Sequence, residues 1–471
     1  MSKYPKMYDT FEYPGVWWIA GEEGNKVGGV LKFTVNDILL ELNGEGINIL
    51  NFRSDVQRLA VIHGNCLEGA ITLLDGFPHN QQTKYSTGKS NPHSILTLSF
   101  TRLLIGEHYQ NLQDIVFPEL SFEFSNFNEW INFSPIEVEH LEKGIQISVK
   151  TFETVESYVN DINAKITFTY TFGNSGENFS YQQLYYKNFI TIQPDSPQSL
   201  EWYEKVAKKF KDLLSILTDT NIFMEYVEHS TIEKRIRYYR TSFNDYMKVK
   251  ISPYRGFLIP FTMIKDDIED ILNKWYSLNI NSSALTYVNI IANSKYMFVE
   301  DIFLGYSKAL ESAHRNSFSE NNKFVAEDVY NQIKGKMLSA IKIEAPGNLY
   351  NKLVSTLQYA NEFGFQRRIQ EIIKSLDPKI KDIVLMGLEV RDFADIVRIN
   401  RDYNTHFGEI SDKLFSPHQF MSINESLKLI MLNTILRQIG ISDDLLWTIL
   451  NFNKNWIGYL NNSKELFENN K

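Results

Sequence analysis

The stretch AKITFTYTFGNSGENFSYQQLYYKNFITIQP, Ala164–Pro194, continued by SLEWYEKVAKKFKDLLSIL, Ser199–Leu217, decides the fold class, because the period of its apolar residues changes partway along. Ile166, Phe168, Tyr170 and Phe172 alternate with lysine and threonine, the period-two pattern of a half-buried strand. Gly173–Asn178 is made of turn-forming residues, so the apolar runs on either side of it read as a hairpin. The strand pattern stops at Pro194. Beyond it Leu200, Tyr203, Val206, Phe210, Leu213, Leu214 and Leu217 recur at helical spacing behind Ser199, a residue suited to an N-cap.

Toward the N-terminus the strand pattern repeats. GVLKFTV (Gly29–Val35), ILLELNG (Ile38–Gly44), GAITLLDGF (Gly69–Phe77), SILTLSFTRLLIG (Ser94–Gly106), LSFEFS (Leu120–Ser125) and IQISVKTF (Ile145–Phe152) are short, apolar or alternating, and separated by Gly, Asn and Asp. Many short strands at this spacing predict a sandwich or barrel. In the Trp17–Trp18 pair, strand geometry sends neighbours to opposite faces, so one indole is expected in the core and the other near a surface or interface. IFMEYVEHS, KRIRYYRTSF and YRGFLIPFTM read as further strands.

From Asp266 onward the signals are helical. MFVEDIFLGYSKALESAHRNSF places Phe298, Ile302, Leu304, Tyr306, Ala309, Leu310 and Ala313 broadly on one side, and NLYNKLVSTLQYANEFG, FQRRIQEIIKSL, NESLKLIMLNTILRQIG and DDLLWTILNFNKNWIGYL follow. The expected fold is therefore α+β: a β-rich domain with a packed helix over residues 1–280, and an all-helical bundle of five to seven helices over 281–471.

Composition sets the bounds. The chain has 471 residues, suggesting two to four domains, and a net charge of −9. Residues 291–471 balance 22 Lys+Arg against 22 Asp+Glu, so the acidic excess lies in residues 1–290, a poor surface for gripping a nucleic-acid backbone. The single cysteine, Cys66, excludes an internal disulfide and a cysteine-based zinc site, and reads as a small buried hydrophobe. No apolar run approaches the ~20 residues of a membrane-spanning helix, and the N-terminus lacks a secretory leader, so a cytoplasmic protein without membrane attachment is expected.

Nucleotide and metal motifs are missing: no Walker loop, no dinucleotide-binding glycine pattern, no HExxH and no EF-hand. His63, His79, His93 and His108 cluster in sequence and would suit a metal-dependent hydrolase if strand geometry brought two of them together. The expectation is no metal and no cofactor.

The stretch VRINRDYNTHF, Val397–Phe407, carries the chemistry instead. On a helix Arg391, Asp395, Arg398, Asp402 and His406 share one side, opposite Phe393, Ile396, Val397, Tyr403 and Phe407. The same spacing suits a salt-bridged surface helix, and by spacing alone both readings stand. Metal-free RNA cleavage needs a group that moves a proton at the ribose 2′-hydroxyl or the leaving 5′-oxygen, and a cation for the phosphorane-like transition state. A histidine with pKa near ~6.5 and a permanently charged arginine suit these two tasks. Asp402, one turn before His406, is placed to orient the imidazole. One histidine per helix calls for a symmetric second copy.

Arg401-Asp402-Tyr403-Asn404-Thr405-His406 resembles the arginine–polar–three–histidine signature of HEPN domains, helical bundles that act as metal-independent ribonucleases in prokaryotic defence and toxin systems. Its context agrees, with ALESAHR (Ala309–Arg315) before it and SLKLIMLNTILRQIGI (Ser426–Ile441) after it. PGVWWIAGEEGNKVGGVLKFTVNDILLELNGEG, IHGNCLEGAITLLDGF and LSFEFSNFNEWI are similar to the N-terminal domain of the ApeA family of abortive-infection proteins, which is joined to a C-terminal HEPN domain. The resemblance implies a phage-defence ribonuclease that cleaves RNA, with tRNA as a target, when the N-terminal domain senses a phage-encoded trigger protein. It gives Arg401 and His406 the catalytic positions and Asp402 the polar position that is often Asn. Arg391 and Arg398 become candidate RNA contacts, and the working form a homodimer or higher symmetric oligomer. A non-catalytic alternative keeps the HEPN-like bundle as a dimerising element and lets the β-rich domain bind a phage protein or other ligand.

Overall fold

The computed structural model describes residues 4–45, 60–84, 93–150, 153–177, 181–241, 258–278, 282–317, 322–406, 411–452 and 454–470. The chain divides into two compact units, Met1–Thr218 with Ile222–Tyr276, and Asp219–Asn221 with Ser277–Lys471. The architecture is α+β, with a large antiparallel sheet and its helix in the first unit and helices in the second.

Fourteen strands hydrogen-bond in one order. The ladder runs from Val155–Val159 through Ala164–Glu177, Tyr181–Pro194, Leu120–Phe124, Met224–Ser230, Arg235–Arg240, Arg102–Ile105, Gly69–Leu74, Val61–Cys66, Phe11–Ile19, Val27–Phe33, Ile38–Glu45 and His93–Phe100 to Phe77–Lys84. The expected hairpin is present, with Ala164 opposite Pro194 and Glu177 opposite Tyr181, so the strands continue through most of the predicted turn. Within YRGFLIPFTM, Phe261–Met263 forms a short 3-10 turn rather than a strand, and residues 254–257 lie outside the described residues. Pro260, which has no amide hydrogen to give a ladder, leads into that turn.

Of the helices in this unit, α1 is Phe127–Ile131, α2 is Leu200–Thr218 and α3 is Ile268–Ser277. Ser199 caps α2 as expected, its hydroxyl accepting from the Trp202 amide at 3.4 Å. The buried stripe of α2 brings Phe210 against Phe124, Phe127 and Phe168, with ring centroids 5.4–6.4 Å apart. Both tryptophans of the Trp17–Trp18 pair are buried, which corrects the expectation of one near the surface. Trp17 fits because its cross-strand partner is Gly64, where a Cβ would stand 2.2 Å from the indole ring. Trp18 lies edge-on to His63 and His108, with the Lys26 Nζ 4.5 Å from its ring centroid. Cys66 is half-buried rather than buried; its thiol reaches the Gly69 carbonyl at 3.6 Å, and burial pushes its pKa up.

The described residues of the second unit hold ten helices: α4 Ser282–Asn293, α5 Val299–Ser317, α6 Glu327–Glu344, α7 Gly347–Tyr359, α8 Phe365–Ser375, α9 Pro378–Val384, α10 Val390–His406, α11 Pro417–Gln438, α12 Asp443–Phe452 and α13 Lys454–Asn462. The axis is α11, which buries Phe420, Ile423, Leu427, Leu429, Ile430, Met431, Leu432 and Ile435, side chains that point all round it. It starts at a capping box in which Ser416 and Gln419 exchange hydrogen bonds, with Pro417 in the first turn. Phe303 of α5 meets Phe415 and Phe420 edge-on. Phe298, expected on the buried side, is 79% exposed; the buried stripe is Phe303, Tyr306, Leu310 and Ala313, and Phe298 precedes the first turn of α5. Among the described residues no helix is long and apolar enough to cross a membrane.

Candidate active site

The helix expected over the Arg401–His406 stretch is α10. Phe393, Ala394, Ile396, Val397 and Asn400 form its buried face; Tyr403 is half-buried, and Phe407 lies outside the described residues. Asn400 anchors the chain that follows. Its amide donates to the carbonyls of Ile396 and Lys413, both at 2.9 Å, and its oxygen accepts from the Phe415 amide at 2.8 Å. The C-terminal half of α10 and residues 413–415 are therefore pinned together by one buried side chain.

Arg401 leaves the helix toward α5 and α8. Its guanidinium donates to the Glu311 carboxylate and to the Asp402 carboxylate, each at 3.3 Å, and lies 5.0 Å from the Phe365 ring centroid. A third of the side chain stays exposed. His406 ends α10, exposed. Five residues of α-helix turn through about 500°, which leaves Arg401 and His406 roughly 140° apart around the axis. Within one chain the cation and the imidazole face different directions.

Asp402 does not orient His406. One of its oxygens accepts from Arg398 at 3.2 Å and the other from Arg401 at 3.3 Å. Arg398 also donates to Asp395 at 3.0 Å, and hydrogen bonding to that carboxylate raises the arginine pKa. Burial alone would raise the pKa of Asp395, but the hydrogen bonds from Arg398 and Lys413 outweigh it and hold the group below its ordinary value. Of the two candidate RNA contacts, Arg398 is thus committed to carboxylates, and Arg391 is exposed in the first turn of α10.

Behind Arg401 lies a network of charged groups that no motif in the sequence marks. Glu311 also accepts from Arg315 at 3.3 Å, Arg315 donates to Glu362 at 2.7 Å, and the fully buried Arg368 donates to Glu362 at 3.2 Å. Arg368 meets His314 Nδ1 at 3.3 Å. A guanidinium only donates, so this nitrogen accepts and the imidazole is neutral. Burial first, then the neighbouring Arg368 charge, push the His314 pKa down to about 4. Glu311, His314 and Arg315 all lie in ALESAHR, where the four-residue step from Glu311 to Arg315 was the one visible sign of a charged network.

Two of the four clustered histidines meet, and the side chain of His93 lies outside the described residues. His63 and His108 stack at 4.6 Å, but the Nε2 of each is hydrogen-bonded to a backbone carbonyl, Tyr109 and Gly64 respectively, both at 2.9 Å. His79 is exposed. Among the described residues no group of three or more His, Cys, Asp or Glu side chains is placed to hold a metal ion.

Residues 12–275 match the family model described as ApeA N-terminal domain 1, and residues 304–445 match the one described as Apea-like HEPN. No curated protein and no solved structure matches the chain.

Proposed function

We propose, from the premise that this chain belongs to the ApeA family, that it is an anti-phage endoribonuclease whose helical unit cleaves RNA without metal. The observation that carries this reading is the end of α10. An arginine sits there partly exposed and braced by Glu311 and Phe365, and an exposed histidine closes the helix inside the segment matched to Apea-like HEPN. In the mechanism, Arg401 binds the scissile phosphate and neutralises the charge that develops on it, and His406 moves the proton at the 2′-hydroxyl or the leaving oxygen. Because the two side chains diverge by about 140° on one helix, the site takes its arginine from one copy of the chain and its histidine from a second, related by twofold symmetry. No cofactor enters this scheme. The proposed substrate is tRNA and the proposed trigger a phage protein bound by the β-rich unit; support for both is the family relationship.

The test is RNA cleavage by the full chain, alone and from phage-challenged cells, with RNA ends sequenced. His406→Ala and Arg401→Ala are expected to abolish cleavage with the fold intact; cleavage retained by His406→Ala overturns the assignment. A second reading, a non-catalytic HEPN-like element that only dimerises, draws on the two carboxylates already bound to Arg401. Defence unaffected by Arg401→Ala would select it.

A further inference from the structure

In the first unit, α1, the strands Val155–Val159, Ala164–Glu177 and Tyr181–Pro194, and the 3-10 turn Phe261–Met263 line a cavity of about 190 Å³. Its inner wall is apolar, made by the buried Phe127, Ile131, Phe168 and Phe261, and the half-buried Val155 also lines it. The Phe168 ring neighbours those of Phe127 and Phe261 at centroid distances of 6.4 and 5.0 Å, inclined to them by 18° and 30°. Close-packed interiors hold few voids larger than a water molecule, and the side chains around such a void lose contacts that a bound molecule restores.

One polar group opens onto this wall. Asn188, in the strand Tyr181–Pro194, lines the cavity and is 4% exposed. Its backbone amide donates to Asn128 Oδ1 at 2.7 Å, and its Nδ2 donates to the Phe133 carbonyl at 3.4 Å, which fixes the flip of the side chain. Oδ1 has no partner among the described residues, yet it is not one of the unpartnered atoms sealed from solvent. An acceptor that keeps accessible surface in so buried a residue is offered to whatever fills the cavity. At the rim stand the exposed Glu153, Thr262 and Lys265, one acid and one base, so the entrance favours neither an anion nor a cation. The volume sets the size. A cavity of roughly 150 Å³ lined by leucine, isoleucine and phenylalanine takes up benzene, and the larger space here accommodates a second, fused ring. Flat rings also suit the aromatic walls.

We infer that this cavity binds a small, neutral, fused-ring aromatic molecule whose N–H donates to Asn188 Oδ1, indole being the simplest of that class. The site lies in the first unit and does not depend on the nuclease reading of α10. Calorimetric titration of the full chain with indole tests it, with benzofuran as the comparison that keeps the shape and lacks the N–H. Indole is expected to bind one per chain, and benzofuran at least about fivefold more weakly, the difference that one hydrogen bond makes. Asn188→Leu should remove that difference. Val155→Phe, which fills the cavity, should abolish indole binding, with thermal unfolding showing that each variant is folded. The indole and benzofuran titrations of the unaltered chain decide the matter even if a variant does not fold. The inference is overturned if indole does not bind saturably at millimolar concentration or if benzofuran binds as tightly. It is equally overturned if folded Val155→Phe binds indole like the unaltered chain, or if folded Asn188→Leu keeps the preference for indole.

Discussion

The absence of a single Cβ at position 64 decides where Trp17 goes. An added methyl would stand 2.2 Å from two atoms of a fully buried indole, so one of the two must shift within a close-packed core. Gly64→Ala is expected to cost about 1–3 kcal/mol, read as a lower denaturant midpoint with an unchanged slope. Arg401 is governed by a comparable local balance. Glu311 holds a guanidinium that is only two-thirds covered, and exposed ion pairs of this kind contribute about 0–1 kcal/mol. Glu311→Gln should release the arginine toward phosphate and tighten binding of a single-stranded RNA up to about fivefold; weaker binding would instead make Glu311 the group that positions it. Neither Gly64 nor Glu311 was marked out in the sequence, because what matters about each is the identity of a neighbour distant along the chain.

Among the elements, α5, α8 and α10 are joined by charge as well as by apolar packing. The chain of contacts passes from Arg401 through Glu311, Arg315, Glu362 and Arg368 to the buried His314. With the His314 pKa lowered from 6.5 to about 4, the unfolded chain takes up that proton first as pH falls. Its contribution is therefore whole above pH ~6.5 and is lost between there and pH ~4, on the order of 3 kcal/mol in all. Urea unfolding of the full chain should lose stability across that window more steeply than His314→Leu does; equal slopes would mean that the histidine is charged in the folded state. On the buried side of the same half of α10, Asn400→Ala removes three hydrogen bonds and leaves the Phe415 amide without its partner. A loss of about 2–3 kcal/mol is expected, with faster amide exchange at residues 413–415.

For the whole molecule, the divergence of Arg401 and His406 makes the number of copies part of the chemistry. If each site takes one residue from each of two copies, an equal mixture of Arg401→Ala and His406→Ala chains, each inactive alone, regains activity. Half of the randomly formed dimers are mixed and each carries one intact site, so about a quarter of wild-type cleavage is expected. No recovery after exchange of subunits would place both residues in one chain's site.

Two periods in the amino-acid sequence were enough to determine that strands come first and helices after, that Ala164–Pro194 is a hairpin, that Ser199 caps a helix, and that Phe393, Ile396 and Val397 face inward with Arg398 and Asp402 opposite. Periodicity reports local geometry, and these are local facts. It could not tell that Phe298 stays exposed, because Phe298, Ile302, Tyr306, Ala309 and Ala313 keep helical spacing even though the first of them precedes the helix. It could not tell that fourteen strands form one ladder, that Trp18 is buried as well as Trp17, or that Asp402 turns to two arginines rather than to His406. Those outcomes rest on which groups from distant parts of the chain arrive within a few ångströms of one another. Hydrogen bonds, ion pairs and close packing act only over that range, and only the tertiary structure brings Glu311 to Arg401 or Gly64 to Trp17.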